Sequence, residues 1–160
     1  MDTGIPPTIE QVQRAQQDPP RLYDVHSIDL ATFLGSWFAG AILLSRNLQA
    51  LGRVEDARST LIVGFFGLIA LAFAIYSIVV PERFDRLVGL AVQAAQVAAV
   101  HVLSTRTLGR SIERHRAAGG AFYSRWRAAG VSVLVLPITI GVIVAVAIFF
   151  PGLPALAPTD

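Results

Sequence analysis

Four charge-free stretches divide the chain. Residues 30–45 lie between Asp29 and Arg46, 59–81 between Arg58 and Glu82, 87–105 between Arg86 and Arg106, and 128–159 between Arg127 and Asp160. A helix needs about 20 predominantly apolar residues to cross a hydrocarbon core of about 30 Å. The second and fourth stretches meet that requirement outright. Residues 61–80 (LIVGFFGLIALAFAIYSIVV) are apolar on every side and stop at Pro81, which has no amide proton to continue a helix. Residues 131–150 are as apolar and run into Pro151, with Pro154 and Pro158 beyond. The first stretch is short, since 16 residues rise only about 24 Å at 1.5 Å each. Starting at Ile28 and letting Arg46 snorkel lengthens it. The third carries Gln93, Gln96 and His101 among alanines, so other helices must shield it.

This pattern predicts an all-α protein, an integral membrane bundle of four transmembrane helices with a short polar N-terminal tail. The tail covers 1–27, the bundle 28–150 and a Pro-rich C-terminal tail 151–160. The spans are expected at about 28–47, 60–80, 87–104 and 130–150. The N-terminal tail is acidic and has no basic segment ahead of an apolar run. It therefore does not read as a cleavable signal peptide, and the first span is expected to direct insertion.

Composition narrows the class further. Hydrophobic residues are 54% of the 160 and charged residues 15%, against about 25% charged in soluble domains. Mean hydropathy is +0.59. A soluble fold of this size has too little interior for that much apolar side chain. Cysteine is absent, which excludes disulfides, thiolate nucleophiles and Cys-ligated metals. All 13 basic residues are arginine, a bias of GC-rich bacterial genomes, so the membrane expected is the bacterial inner membrane.

The modest net charge of +2 matters through where the arginines sit. Loop one holds Arg46, Arg53 and Arg58, and loop three holds Arg106, Arg110, Arg114, Arg116, Arg125 and Arg127. The N-terminal tail and loop two hold Arg14, Arg21, Arg83 and Arg86, and the C-terminal tail none. Cytoplasmic loops carry the arginine excess. With four spans, loops one and three face the cytoplasm and both termini lie outside.

Within the spans the polar residues are few. On the third helix Gln93, Gln96, His101 and Ser104 fall on one face about 140° wide at 100° per residue. Intramembrane polar groups are costly and turn inward, either to hydrogen-bond neighbouring helices or to line a polar track. Small residues mark packing seams: Gly35/Ala39 and Ser36/Gly40 in span one, Gly64, Gly67, Ala70, Ala74 and Ser77 in span two, Gly141/Ala145 in span four. They suit close packing within one bundle, or a homo-oligomer. Pro137 frees a carbonyl within span four, and Thr139 is placed to satisfy it.

Loop three is the densest polar segment. Arg106, Arg110 and Arg114 recur every fourth residue, so span three continues as a cytoplasmic helix, ended by Gly119-Gly120. Phe122, Tyr123 and Trp126 then share a helical face flanked by Arg125 and Arg127, the signature of a segment at headgroup level. Arg110, Arg114, Arg116, Arg125, Trp126 and Arg127 are thus the candidate cytoplasmic surface, for anionic headgroups or for an acidic partner. Nucleic acid is not expected, because no stacking platform accompanies the arginines away from the membrane. In loop one, Glu55 and Asp56 suit a helix start and are expected to pair with loop-three arginines.

The enzyme classes lose their signatures. Gly-x-Ser-x-Gly, His-Glu-x-x-His and Walker motifs are absent, and no carboxylate sits in the centre of a span. His26, His101 and His115 are too scattered for one metal site in this topology. No cofactor is expected.

Two segments, ATFLGSWFAGAILLSRNLQALGR (31–53) and H-x-x-x-G-G-x-F-Y-S-x-W-R-A-A-G-V (115–131), resemble a family of small, functionally uncharacterised bacterial polytopic inner-membrane proteins. These have a Gly-rich first span and a Gly-Gly loop before the last span. The resemblance implies a small polytopic membrane protein and assigns no site residues.

The chain is therefore expected to be a non-enzymatic inner-membrane protein that acts by binding. It would serve as an accessory subunit or as a protective, immunity-type partner of a membrane-directed toxin. The alternative is a small homo-oligomeric pore or transporter lined by Gln93, Gln96 and His101.

Overall fold

The computed structural model describes residues 20–79 and 86–150. The expected tails over 1–19 and 151–160 and the turn over 80–85 lie outside these. The described residues are all-helical, as the sequence predicts. Five helices follow one another: α1 (Val25–Gly35), α2 (Trp37–Ala50), α3 (Val54–Val79), α4 (Arg86–Ala117) and α5 (Arg125–Phe149).

The first expected span is two helices folded back on each other. The chain breaks at Ser36, whose backbone takes φ 99° and ψ 172°. Beyond it the direction reverses. The backbone N–H of Tyr23 donates to Asn47 Oδ1 at 2.7 Å, and Asn47 Nδ2 donates to the Tyr23 carbonyl at 2.7 Å. In one straight helix those residues would stand about 36 Å apart. Gly40 seats against the Thr32 side chain, one turn from the break on each arm. The expectation of one span over 28–47 is corrected accordingly: α1 and α2 form an antiparallel hairpin whose ends lie together.

Small residues make the reversal possible. At Gly35 a Cβ would come within 2.8 Å of the Ser132 backbone and of the Ala39 side chain. The hairpin tip thus touches α5 backbone to backbone. The Gly35/Ala39 and Ser36/Gly40 pairs serve this turn, not a seam along a continuous helix.

The long helices surround the hairpin. α3 and α5 run in the same direction, meeting at Phe73 and Phe150, whose rings lie 4.8 Å apart. α4 runs the opposite way and, among the described residues, packs on the hairpin alone. One apolar cluster joins Tyr23, Ile28, Ala31, Leu43, Val100 and Val135. A second joins Leu44, Leu48, Ala57, Leu108 and Ile112. Hairpin residues lie in both, so α1 and α2 are the centre of the core.

Among the described residues two helical stretches are long and apolar enough to cross a membrane, Val54–Ala74 and Arg125–Phe149. Only 22% of each is buried inside the protein, unlike the core helix of a soluble fold. Phe66, Val133, Leu134 and Phe149 project outward from them. The other helices do not reach that standard. The hairpin arms are too short, and α4 is interrupted by polar residues.

At the end where α1, α3 and α5 begin, the connections interlock. Leu22 donates to the Ala121 carbonyl at 3.3 Å, and the Tyr123 N–H donates to the Leu22 carbonyl at 2.8 Å. The segment entering α1 therefore lies beside loop three. This corrects the expectation that the N-terminal flank and loop three fall on opposite sides of the bundle.

Candidate functional site

Reversing a chain inside an apolar bundle exposes backbone groups that α1 and α2 cannot satisfy for each other. The Phe33 and Gly35 carbonyls of α1 and the Trp37 amide of α2 have no partner within their own helices, whereas the Thr32 carbonyl already accepts from the Ser36 N–H at 3.0 Å. Other helices supply them. Gln93 Nε2 donates to the carbonyls of Thr32 at 3.0 Å and Phe33 at 2.8 Å. Gln96 Oε1 accepts from the Trp37 N–H at 3.1 Å. Thr139 Oγ1 lies 3.3 Å from the Gly35 carbonyl and 3.0 Å from Ser36 Oγ. Ser132 Oγ lies 3.1 Å from the Ala31 carbonyl.

The four residues expected as one polar face are placed at three different stations along α4. Gln93 and Gln96 hold the hairpin tip. His101 Nδ1 lies 2.8 Å from Asp29 Oδ2 on α1, with His26 Nδ1 4.0 Å from the same oxygen. Ser104 is fully buried, and its hydroxyl has no partner. Val100, only 2% exposed, fills the interval between the glutamines and His101. Gln93 and Gln96 also border a hollow of about 190 Å³ below the tip, with Leu68, Ala72, Leu136 and Ile143 around it.

Pro137 sits inside α5 without ending it. The carbonyl a proline frees is that of residue i−4, here Val133. Thr139 turns instead to Gly35, and to the Val135 carbonyl at 3.4 Å, which corrects the expected pairing.

The second candidate surface lies at the opposite end of the hairpin. Trp126 is 86% exposed there. Arg110, Arg114 and Arg125 are exposed. Arg116 Nη2 meets Asp24 Oδ1 at 2.8 Å, and its guanidinium lies 5.4 Å from the Phe122 ring centroid. Arg127 stacks on Tyr123 at 4.3 Å.

Phe122, Tyr123 and Trp126 do not share a helical face. Residues 121–123 are held extended by Leu22, and α5 begins only at Arg125 behind the Ser124 cap. Phe122 packs edge-on against His115 at 5.3 Å, and Tyr123 lies 4.7 Å from Tyr23. Asp56 pairs with its own loop's Arg53 at 2.7 Å, whereas Arg53 Nη1 also reaches the Thr107 carbonyl at 3.0 Å. The expected bridge from loop one to loop-three arginines is therefore a backbone contact.

Asn47 and Ser132 are not among the residues the pattern singles out, and Thr139 is singled out only as a partner for the Pro137 break. Each is a single polar residue within or beside an apolar run, and single residues carry no periodicity. Comparison with protein-family models, curated proteins and solved structures yields no match.

Proposed function

We propose that the chain is a small, non-enzymatic helical protein of the bacterial cytoplasmic membrane that acts by binding. α3 and α5 cross the bilayer by their own apolarity, α4 crosses in the opposite direction with its glutamines turned onto the hairpin, and α1–α2 enter as a re-entrant hairpin. Eleven residues in α1 rise about 16 Å, half of a ~30 Å core. Irregular backbone at that depth is tolerated only where protein covers it, and the polar caps at the tip answer that requirement.

The observation that carries the binding reading is the use of Gln93 and Gln96. Their amides are engaged in holding the tip, which supports a structural role for the polar residues of α4 over a conducting one. What the protein offers a partner is its arginine-rich end, where Arg46, Arg53, Arg116, Arg125 and Arg127 cluster around the connections. Arginine excess marks the cytoplasmic side. In this topology the segment before α1, loop one and loop three are cytoplasmic, and the end of α5 is outside. An accessory subunit or a protective partner of a membrane-directed toxin fits a protein of this kind.

The chain has no cysteine, so single-cysteine variants report accessibility without background. Cysteines at 21, 52 and 119 should react from the cytoplasmic side only. Labelling of 21 from the outside would restore a spanning first segment. Purified protein in liposomes should conduct no ions. A flux abolished by Gln93→Leu would replace the binding reading with a homo-oligomeric pore.

A further inference from the structure

Arg21, Arg46 and Arg127 come from three separate segments: the extended chain before α1, the second half of α2 and the first turn of α5. All three line one hollow of about 510 Å³, together with Tyr23, Asn47 and Tyr123. No carboxylate is among the residues that line it. The four ion pairs among the described residues involve none of the three arginines. Asp24, the nearest described acid in sequence to Arg21, is taken by Arg116.

Three guanidinium groups around one concavity repel each other, and among the described residues no carboxylate pairs with them. Arg127 is nonetheless held in place. Arg127 lies on the Tyr123 ring, Tyr123 lies on Tyr23, and Tyr23 is clamped at both backbone groups by Asn47. Tyr23 is 1% exposed, and its hydroxyl is buried with no partner. Convergent, pre-positioned guanidinium groups recognise phosphate oxygens through paired N–H donors.

We propose that this hollow binds the phosphate of an anionic phospholipid headgroup. The lipid source is favoured by position. The outward side of α5, from its first turn onward, carries Trp126, Val133 and Leu134, which are 86%, 65% and 76% exposed. An indole at headgroup level followed by an apolar face offers acyl chains a path along the helix. Basic pockets between helices on the cytoplasmic side are a recurrent way to hold such headgroups. The site deepens the binding reading and takes its orientation from it.

The test uses the full chain purified in a neutral detergent and titrated with phosphatidylglycerol, phosphatidylcholine or inorganic phosphate. Binding is read by retained lipid in native mass spectrometry and by the shift in unfolding temperature. Phosphatidylglycerol should be retained and phosphatidylcholine not. The double variant Arg46→Gln, Arg127→Gln should weaken phosphatidylglycerol binding about thirtyfold, as expected for two guanidinium–headgroup interactions. Arg58→Gln with Arg106→Gln removes the same charge from exposed positions that do not line the hollow and should leave binding within about twofold.

Equal loss in the two double variants would mean diffuse surface charge and would overturn the site. Inorganic phosphate displacing the lipid at low millimolar concentration would overturn the lipid assignment in favour of a soluble phosphate ligand. If the Arg46, Arg127 variant does not fold, Arg21→Gln carries the same comparison, because residue 21 lies outside every helix. Loss of lipid selectivity with cysteine 21 still cytoplasmic overturns this site alone. Cysteine 21 labelled from outside overturns the topology beneath it.

Discussion

Asn47 satisfies both backbone polar groups of Tyr23, accepting from its N–H and donating to its carbonyl, each at 2.7 Å. The two residues are 24 apart in sequence, and both are buried. This side-chain amide thus stands in for one rung of a backbone ladder. It ties the end of α2 to the start of α1 and closes the base of the hairpin. Through Tyr23 it also fixes Tyr123 and Arg127, so one amide couples the hairpin to the arginine-rich surface.

Replacing Asn47 by Leu, which is close in size, should leave the Tyr23 N–H and carbonyl buried without partners. Each orphaned group costs about 1–3 kcal/mol. A loss of at least about 2 kcal/mol is expected in reversible unfolding from mixed micelles. Asn47→Asp keeps the acceptor and loses the donor, so it should fall between. A loss below about 0.5 kcal/mol in Asn47→Leu would mean that the base of the hairpin is held elsewhere.

Ser36 distinguishes a reversal from a straight helix by the sign of two substitutions. Its φ of 99° with ψ of 172° lies in a region that essentially only glycine adopts freely, at about 1–3 kcal/mol for other residues. Ser36→Gly relieves that cost, gives up the hydroxyl contact with Thr139 and adds unfolded-state entropy. The net should lie within about 1 kcal/mol of zero. Ser36→Val should cost more than about 2 kcal/mol, because a β-branched residue is a true outlier at positive φ. In a continuous helix the order reverses, with Val tolerated and Gly the costly choice. Thermal unfolding of the two variants side by side decides it.

The helices were legible in the sequence wherever an apolar run was long. α3 and α5 follow from their own residues, and Gly119, at φ +75°, closes α4 as its position suggests. The hairpin was not legible because Gly35 and Ser36 sit in a run that reads equally well as a packing seam. One signal did point to it. The first stretch is too short to cross, and its flanking charges, Asp29 and Arg46, both belong at a polar edge. Folding the stretch in half puts both at the same edge. Loop-three aromatics were misread for a related reason. Helical spacing of Phe122, Tyr123 and Trp126 carries no information about Leu22, which is 100 residues away and draws residues 121–123 into an extended bridge.

Gln93 and Gln96 should matter to stability separately from any permeation. Gln93→Leu strips the donor from the Thr32 and Phe33 carbonyls, and Gln96→Leu strips the acceptor from the Trp37 N–H. Interhelical hydrogen bonds in membranes average about 0.6 kcal/mol, and a backbone group left unpaired away from water adds to that. About 1–2 kcal/mol is expected for each. Because both act on the same turn, the double variant should lose less than the sum. Additive losses would indicate that the glutamines serve independent sites.

Asp29 and His101 join α1 to α4 at 2.8 Å, with the aspartate side chain 18% exposed and the histidine 46%. Their interaction is isolated by a double-mutant cycle with Asp29→Asn and His101→Gln, which keep shape and polarity. One oxygen of Asp29 is buried with no partner, so a change at position 101 leaves this carboxylate less compensated. Among the helix–helix contacts of the described residues α4 packs on the hairpin alone, so this contact joins the two glutamines and the Arg116–Asp24 pair as its polar attachments to the hairpin. A coupling of about 1 kcal/mol is expected, within the range for residues in direct contact. The same variants should also raise the accessibility of a cysteine placed at position 100, now 2% exposed between α4 and the hairpin. Unchanged labelling at 100 with zero coupling would mean that α4 is held by apolar packing alone.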